Sequence, residues 1–66
     1  MLVNRVKDFR KGGGLTQEEL ANRAGVSRQT IISIEKYKYK PSMELGLKLA
    51  MELKVQVGAL FFLVDQ

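Results

Sequence analysis

The chain has 66 residues, of which 45% are hydrophobic and 27% charged, and it contains neither cysteine nor histidine. Such a chain forms one small domain that buries about 60% of its unfolded surface. The lack of cysteine excludes disulfides and thiolate metal sites, and the lack of histidine removes the commonest metal ligand and the usual general base. The seven carboxylates are scattered. We therefore expect no enzyme, no metal and no cofactor.

The longest uncharged apolar run covers only residues 57–64, which is too short to span a bilayer. Basic and acidic residues interrupt the N-terminal stretch, so it does not resemble a signal peptide. We therefore expect a cytoplasmic protein that does not contact membranes.

Positive charge is concentrated in the first forty residues. Nine Lys and Arg stand there against four Asp and Glu, whereas residues 41–66 have two against three. A net charge of +4 with this distribution favours a polyanionic partner such as nucleic acid. A solvated surface rich in lysine is the alternative explanation.

The first predicted helix runs from about Asn4 to Lys11. Val6 and Phe9 have the spacing of one helix face, and Asn4 is suited to the N-cap position. The three glycines at residues 12–14 are predicted to end the helix, since each costs a helix interior about 1 kcal/mol relative to alanine.

Residues 15–35 have the pattern of two short helices joined by a tight turn. Thr16 and Glu19 have the spacing of a capping box at the start of the first helix. Gly25 suits the positive φ that follows a helix, and Ser27 can cap the second helix. The pattern indicates a helix-turn-helix motif over about residues 16–35. Its inward-facing positions are Leu20, Ala21, Ala24, Ile31 and Ile34.

The last third of the chain predicts a helix over about residues 43–53, after Pro41 and a Ser42 cap, and a short helix around residues 57–61. The longer helix has one apolar stripe at Leu45, Leu49 and Leu53. It has a second stripe at Met43, Leu47 and Met51. The second stripe is either buried within the chain or contacts another subunit. We expect Phe62, Leu63 and Val64 to be covered, because exposed apolar side chains promote aggregation.

Residues 15–53 resemble the Cro/C1 family of helix-turn-helix repressors. The matching residues are Leu15-Thr-Gln-Glu-Glu-Leu-Ala21, Gly25-Val-Ser-Arg-Gln-Thr-Ile31, Ile34-Glu35 and Pro41-Ser42. The resemblance implies an all-α, five-helix fold like that of the λ repressor DNA-binding domain, with residues 1–66 as a single domain. In some small stand-alone members the termini pair as a short antiparallel ribbon. Such a ribbon would join Leu2 and Val3 to residues 62–64.

Two positions depart from the family pattern. Members often have Asn-Gly after the second helix of the motif, where this chain has Lys36-Tyr37. They commonly have glycine where Lys54 stands. Because glycine adopts positive φ at little cost, we expect strain in the turn at Lys54 if that turn is left-handed.

The resemblance implies a sequence-specific regulator, a repressor, that binds double-stranded DNA. The helix that starts at Ser27 would lie in the major groove, where Arg28 can bond to guanine and Gln29 to adenine. The predicted base contacts are Arg28, Gln29, Thr30 and Ser33. The predicted contacts to the DNA backbone are Gln17, Ser27, Lys36, Lys38 and Lys40. A phosphate contact for Arg28 and a purely capping role for Ser27 are the alternatives.

A single module of this size is too weak for selective binding among many genomic sites. We therefore expect a homodimer that reads two half-sites ~34–36 Å apart. Residues 43–64 are the predicted dimerisation half, with Met43, Leu47, Met51, Phe62 and Val64 at the interface. The alternative function is an antitoxin or adaptor whose apolar stripe binds a partner protein in addition to DNA.

Overall fold

The computed structural model describes residues 1–65 and places five helices between two short strands. The elements in chain order are β1 (Leu2–Asn4), α1 (Val6–Gly12), α2 (Gln17–Ala24), α3 (Arg28–Glu35), α4 (Met43–Leu53), α5 (Val57–Leu60) and β2 (Phe61–Leu63). The expected five-helix fold is confirmed. The terminal ribbon is confirmed as well, because β1 and β2 pair antiparallel with Leu2 opposite Leu63 and Val3 opposite Phe62.

The predicted starts of three helices are confirmed by their capping hydrogen bonds. At α2, the Glu19 N–H donates to Thr16 Oγ1 at 3.0 Å and the Thr16 N–H donates to the Glu19 carboxylate at 2.9 Å. Ser27 and Ser42 each accept a backbone N–H three residues on, both at 3.2 Å. Gly25 ends α2 with a φ of 73°. These local bonds satisfy backbone groups that a helix end leaves unpaired.

The predicted start of the first helix was wrong. Asn4 is the last residue of β1 and Arg5 occupies the N-cap position of α1, without a side-chain cap. Pairing with Phe61 holds Asn4 in the ribbon. Its Oδ1 still accepts the Val6 N–H at 3.2 Å, while its Nδ2 donates to the Ile34 carbonyl at 3.1 Å. At the other end α1 runs one residue beyond the prediction, through Gly12.

The core lies between the helices and behind α3. In the described part of the chain it contains nine buried apolar residues, which are Val6, Leu20, Ala21, Ala24, Ile31, Ile34, Leu49, Ala50 and Leu60. Ile31 and Ile34 are fully buried. Burial of large aliphatic side chains contributes about 1.5–3 kcal/mol each, so these two residues anchor the back of α3.

Among residues 1–65, two residues other than glycine have left-handed backbone conformations, with φ of 63° at Tyr37 and 59° at Lys54. Such a residue costs roughly 1–2 kcal/mol. The turn at Lys54, which was expected to be strained, closes α4 through a bond from the Val55 N–H to the Ala50 carbonyl at 3.0 Å. The Tyr37 hydroxyl donates to the Asn4 carbonyl at 3.0 Å, which ties the end of α3 to β1.

Candidate nucleic-acid interface

The first turn of α3 presents polar side chains to solvent. Arg28 and Gln29 are exposed, and Thr30 and Ser33 are half-buried. The opposite face of the same helix is held by the buried Ile31. Gln29, Thr30 and Ser33 line one groove, whereas Arg28 lines a cavity on the α1 side of the helix. The core fixes the helix behind these residues.

Hydrogen bonds within α3 leave some of these groups freer than others. Ser27 Oγ caps the helix through the Thr30 N–H and also lies 3.0 Å from Thr30 Oγ1. Gln29 Nε2 donates to Ser33 Oγ at 3.4 Å, a long bond that a better partner can replace. Gln29 retains a carbonyl oxygen and a second N–H for an external partner.

A shallow groove of about 270 Å³ runs along this surface, lined by Ser27, Gln29, Thr30, Ser33 and Tyr39. Tyr39 is 45% exposed and reaches the groove from the loop after α3. Its position beside Gln29 depends on the path of that loop.

The loop between α3 and α4 carries three exposed lysines, Lys36, Lys38 and Lys40. Within residues 1–65, none of them lies within ion-pair distance of a carboxylate. The Tyr37 hydroxyl bonds to the backbone of β1 and fixes this loop against the ribbon. The three ammonium groups are thus available to an external anion next to the α3 surface.

Gln17, the remaining predicted backbone-contacting residue, is part of a polar network that the sequence did not reveal. Arg10 Nε donates to Glu35 Oε2 at 2.6 Å, and Arg10 Nη1 donates to the Leu15 carbonyl at 2.9 Å. Gln17 Nε2 donates to Glu35 Oε1 at 3.1 Å. The buried guanidinium thereby links α1 to α3. Glu35 orients the Gln17 amide, whose second N–H stays available at the start of α2.

The capping box also lowers the pKa of its carboxyl group, Glu19. The bond from the Thr16 backbone N–H, followed by the bond to the Thr16 side chain, holds the pKa of Glu19 below its ordinary value of 4.5. A carboxyl with a lowered folded-state pKa contributes stability that is present above its unfolded pKa and lost as pH falls through the folded pKa.

We expect Glu19→Gln to reduce the drop in Tm that the chain shows between about pH 5 and pH 3, because the substituted side chain has no charge to lose. Thermal melts followed by circular dichroism measure this. Glu18→Gln is the control, since the Thr16 N–H bonds to Glu19 rather than to its neighbour. Equal acid lability of Glu19→Gln and the unsubstituted chain would contradict the expectation.

A second accessible surface is apolar and lies on α4. Met43 is 82%, Leu47 46% and Met51 74% exposed, so burial within the chain does not cover this stripe. Leu63 is 78% exposed, and the expectation that the C-terminal apolar residues are covered is therefore not met within the single chain. A groove of about 270 Å³ adjoins the stripe. Its lining residues are Leu2, Pro41, Ser42, Met43, Gly46, Val57 and Phe61.

The other two predicted interface residues lie at the C-terminal end of the chain, Phe62 in β2 and Val64 directly after it. Phe62 is half-buried and Val64 is 39% exposed. The Arg5 guanidinium lies 5.6 Å from the centre of the Phe62 ring, within the range of a cation–π contact.

Neither a membrane span nor a metal centre is found in the described part of the chain. No helix within residues 1–65 has the length and apolar content needed to cross a bilayer. The same residues contain no cluster of three acidic, histidine or cysteine side chains placed to hold a metal ion.

Known proteins share both the sequence and the fold of this chain. Residues 6–60 match the helix-turn-helix family. An HTH-type transcriptional regulator from Methanocaldococcus jannaschii is 48% identical over 64 residues, which covers 97% of each chain. The immunity repressor protein of Bacillus phage phi105 is 39% identical over 56 residues, covering 85% of this chain and 39% of the phage protein.

Among solved structures, the restriction-modification controller protein C.AhdI from Aeromonas hydrophila superposes with a TM-score of 0.80. It is 31% identical in sequence, and the superposition covers 83% of each chain. The regulator ClgR from Corynebacterium glutamicum superposes with a TM-score of 0.78 at 28% identity, covering 80% of this chain and 56% of ClgR.

Proposed function

Because the chain belongs to the Cro/C1-type helix-turn-helix family of transcriptional regulators, we propose that it represses transcription as a homodimer bound to a two-fold DNA operator. The family consists of DNA-binding regulators and not of enzymes, so the chain is a transcriptional regulator. The phage relative is an immunity repressor, which favours repression as the direction of control. A regulator of genes acts where the DNA is, and we place this one in the cytoplasm.

The observation that carries the proposal is the two-sided character of α3. Its outer surface offers the polar side chains of Arg28 and Gln29 to solvent, while Ile31 and Ile34 are fully buried behind them. A helix presented in this way can enter the major groove of B-DNA, which is about 12 Å wide. Its N-terminal residues then reach the base edges.

We assign recognition of the DNA bases to Arg28, Gln29, Thr30 and Ser33. The Arg28 guanidinium can donate two hydrogen bonds to guanine O6 and N7, and the Gln29 amide can pair with adenine N6 and N7. The bond from Gln29 Nε2 to Ser33 Oγ holds the amide against the outer surface of α3 before DNA binds. Pre-positioning of this kind lowers the entropy that binding must overcome.

Contacts to the DNA backbone are assigned to Gln17, Ser27, Lys36, Lys38 and Lys40. The loop lysines have no carboxylate partner among residues 1–65, and the Gln17 amide is oriented by Glu35. Phosphate contacts set the register of the protein on the duplex without reading its sequence.

We assign the contact between the two copies of the homodimer to residues 43–64. A second copy of the chain would cover Met43, Leu47 and Met51, which are exposed in the single chain. Phe62 and Val64 would extend the interface along the ribbon. To read two half-sites at once, the two-fold axis has to place the two α3 helices one DNA turn apart, ~34–36 Å.

Selection of bound duplexes from a random DNA pool tests the whole proposal. We expect enrichment of an inverted repeat whose half-site centres are about 10–10.5 base pairs apart or a multiple of that spacing. Enrichment of a single half-site would contradict the homodimer, and no enrichment would contradict sequence-specific binding.

The division between base and backbone contacts predicts different mutant behaviour. Arg28→Ala is expected to cost about 1–3 kcal/mol of discrimination at one operator position. Lys38→Ala is expected to weaken operator and random DNA equally, because phosphates carry no sequence information. Equilibrium binding to both duplexes at one salt concentration measures this. Equal losses on both duplexes for the two variants would refute the assignment.

The exposed apolar stripe on α4 also favours a second candidate function, in which a partner protein rather than a second copy covers it, as in an antitoxin or adaptor. The two candidates differ in the behaviour of the purified chain. Sedimentation as a dimer at tens of micromolar supports the homodimer, whereas a monomer at that concentration supports a foreign partner.

A further inference from the structure

A polar cavity of about 650 Å³ opens between α1, the start of α2 and the start of α3. Lys7 and Lys11 line it from α1, and Arg28 lines it from α3. All three side chains are exposed. The cavity therefore brings cations from two helices to the edge of the surface assigned to DNA, and two of them lie outside the helix-turn-helix motif.

The cavity carries an excess of positive charge. Within residues 1–65, neither Lys7, Lys11 nor Arg28 lies in an ion pair. Arg10, which also lines the cavity, has its charge balanced by Glu35 behind it. Glu18 is the one carboxylate among the lining residues. Three free cations thus face a single carboxylate, and the cavity attracts an anion.

The stability of α1 does not account for both lysines. Lys11 in the last turn interacts favourably with the negative end of the helix dipole, but Lys7 lies in the first turn, at the positive end. The two lysines are four residues apart, a spacing at which like charges on a helix repel each other. Asp8 lies in the first turn beside Lys7 but does not line the cavity. An external anion would relieve this repulsion.

We propose that Lys7 and Lys11 form a phosphate site for the DNA backbone, on the α1 side of α3 and opposite the loop lysines. The proposal rests on the homodimeric DNA binding proposed above. Arg28 both lines the cavity and starts α3, the helix assigned to the major groove. When α3 lies in the major groove, the backbone of the same duplex therefore passes beside the cavity. Gln17, also on the cavity wall, adds an oriented amide. The backbone is then held on both sides of α3.

The test compares two double variants with the same loss of charge. Lys7→Gln with Lys11→Gln removes the proposed site. Arg23→Gln with Lys54→Gln removes two exposed cations that line a different groove, none of whose residues is assigned to DNA or to the apolar stripe. Affinity for the operator and for random DNA is measured from 0.05 to 0.3 M salt, after circular dichroism and sedimentation have shown that both variants fold and keep the oligomeric state of the unsubstituted chain. If the unsubstituted protein binds no DNA at all, the proposed function itself is contradicted. If it binds DNA but the two double variants behave alike, only the proposed phosphate site is contradicted.

The Lys7 and Lys11 variant is expected to bind both duplexes more weakly, by a factor of about 8 at 0.1 M salt for each phosphate contact removed. The slope of log affinity against log salt should become shallower by ~0.9 per contact. Ethylation interference should lose at least one phosphate per half-site. Equal affinity, slope and interference pattern in the two double variants would overturn the proposal.

A small free anion is the other source of the same chemistry. Inorganic phosphate is therefore titrated at constant ionic strength while the amide resonances of residues 7–18 are followed by NMR. We expect no saturation below millimolar phosphate, because the cavity is open and a single phosphate meets few of its cations. Saturable binding at micromolar phosphate would overturn the DNA assignment in favour of a small-anion site.

Discussion

Glu35→Ala is expected to lower the free energy of unfolding by about 3–5 kcal/mol, the largest single-residue effect on stability that we anticipate. The side chains of Arg10 and Glu35 are 9% and 4% exposed. Removing the carboxylate leaves a buried guanidinium without a counter-charge, and it also removes the partner of Gln17. A domain of this size has little stability to lose, so the variant should be largely unfolded at 37 °C.

Urea denaturation of the purified variants measures this loss. Glu44→Ala is the matched control, because it removes the carboxylate of an ion pair whose side chains are 54% and 83% exposed. Exposed pairs contribute about 0–1 kcal/mol, so this control should stay close to the unsubstituted chain. Arg10→Met combined with Glu35→Leu should recover much of the loss, since it removes both charges and keeps the volume. A loss below about 1 kcal/mol for Glu35→Ala would show that the pair is not effectively buried.

Leu47→Glu is expected to have the largest effect on operator binding. Leu47 lies at the centre of the exposed stripe on α4, between Met43 and Met51, and the substitution would place a charge in the proposed dimer interface. A monomer retains one half-site and loses the gain from joining two binding modules, which is typically 10²–10⁴-fold. We therefore expect operator affinity to fall by about that factor, with little change in the binding of a single half-site.

Analytical ultracentrifugation and operator titration of the same samples test this expectation. Asn22→Glu is the control, because it adds the same charge at an exposed position of α2 outside the proposed interface. Leu47 is 46% exposed, so the substitution should leave the fold intact. A Leu47→Glu protein that remains dimeric and keeps full operator affinity would place the dimer interface elsewhere.

The sequence predicted well those features that depend on a few neighbouring residues. The capping box at Thr16, the serine caps, the left-handed Gly25 and the bounds of α4 all involve hydrogen bonds or torsions within one or two turns. The outward-facing residues of α3 could also be predicted from the sequence, because Ile31 and Ile34 mark the buried side of this helix. Whether these residues contact DNA stays a prediction.

Asn4 shows where local reasoning failed. Asparagine is favoured at the N-cap position of helices, yet pairing with Phe61 at the other end of the chain places Asn4 in a strand. The network of Arg10, Glu35 and Gln17 joins residues up to 25 positions apart, and no short sequence pattern predicts it. The cavity between Lys7 and Arg28 likewise exists only because α1 and α3 pack together.

The helix starts of the motif, their caps and the apolar face of α3 are therefore local properties, because they follow from backbone bonds and side-chain spacing within a few residues. Other features became visible only in the folded chain. Met43 and Met51 are exposed while Leu49 is buried, Glu35 orients Gln17, and Lys7 shares a cavity with Arg28. These relations depend on the angle and separation of packed helices, which are set by contacts between residues far apart in the chain.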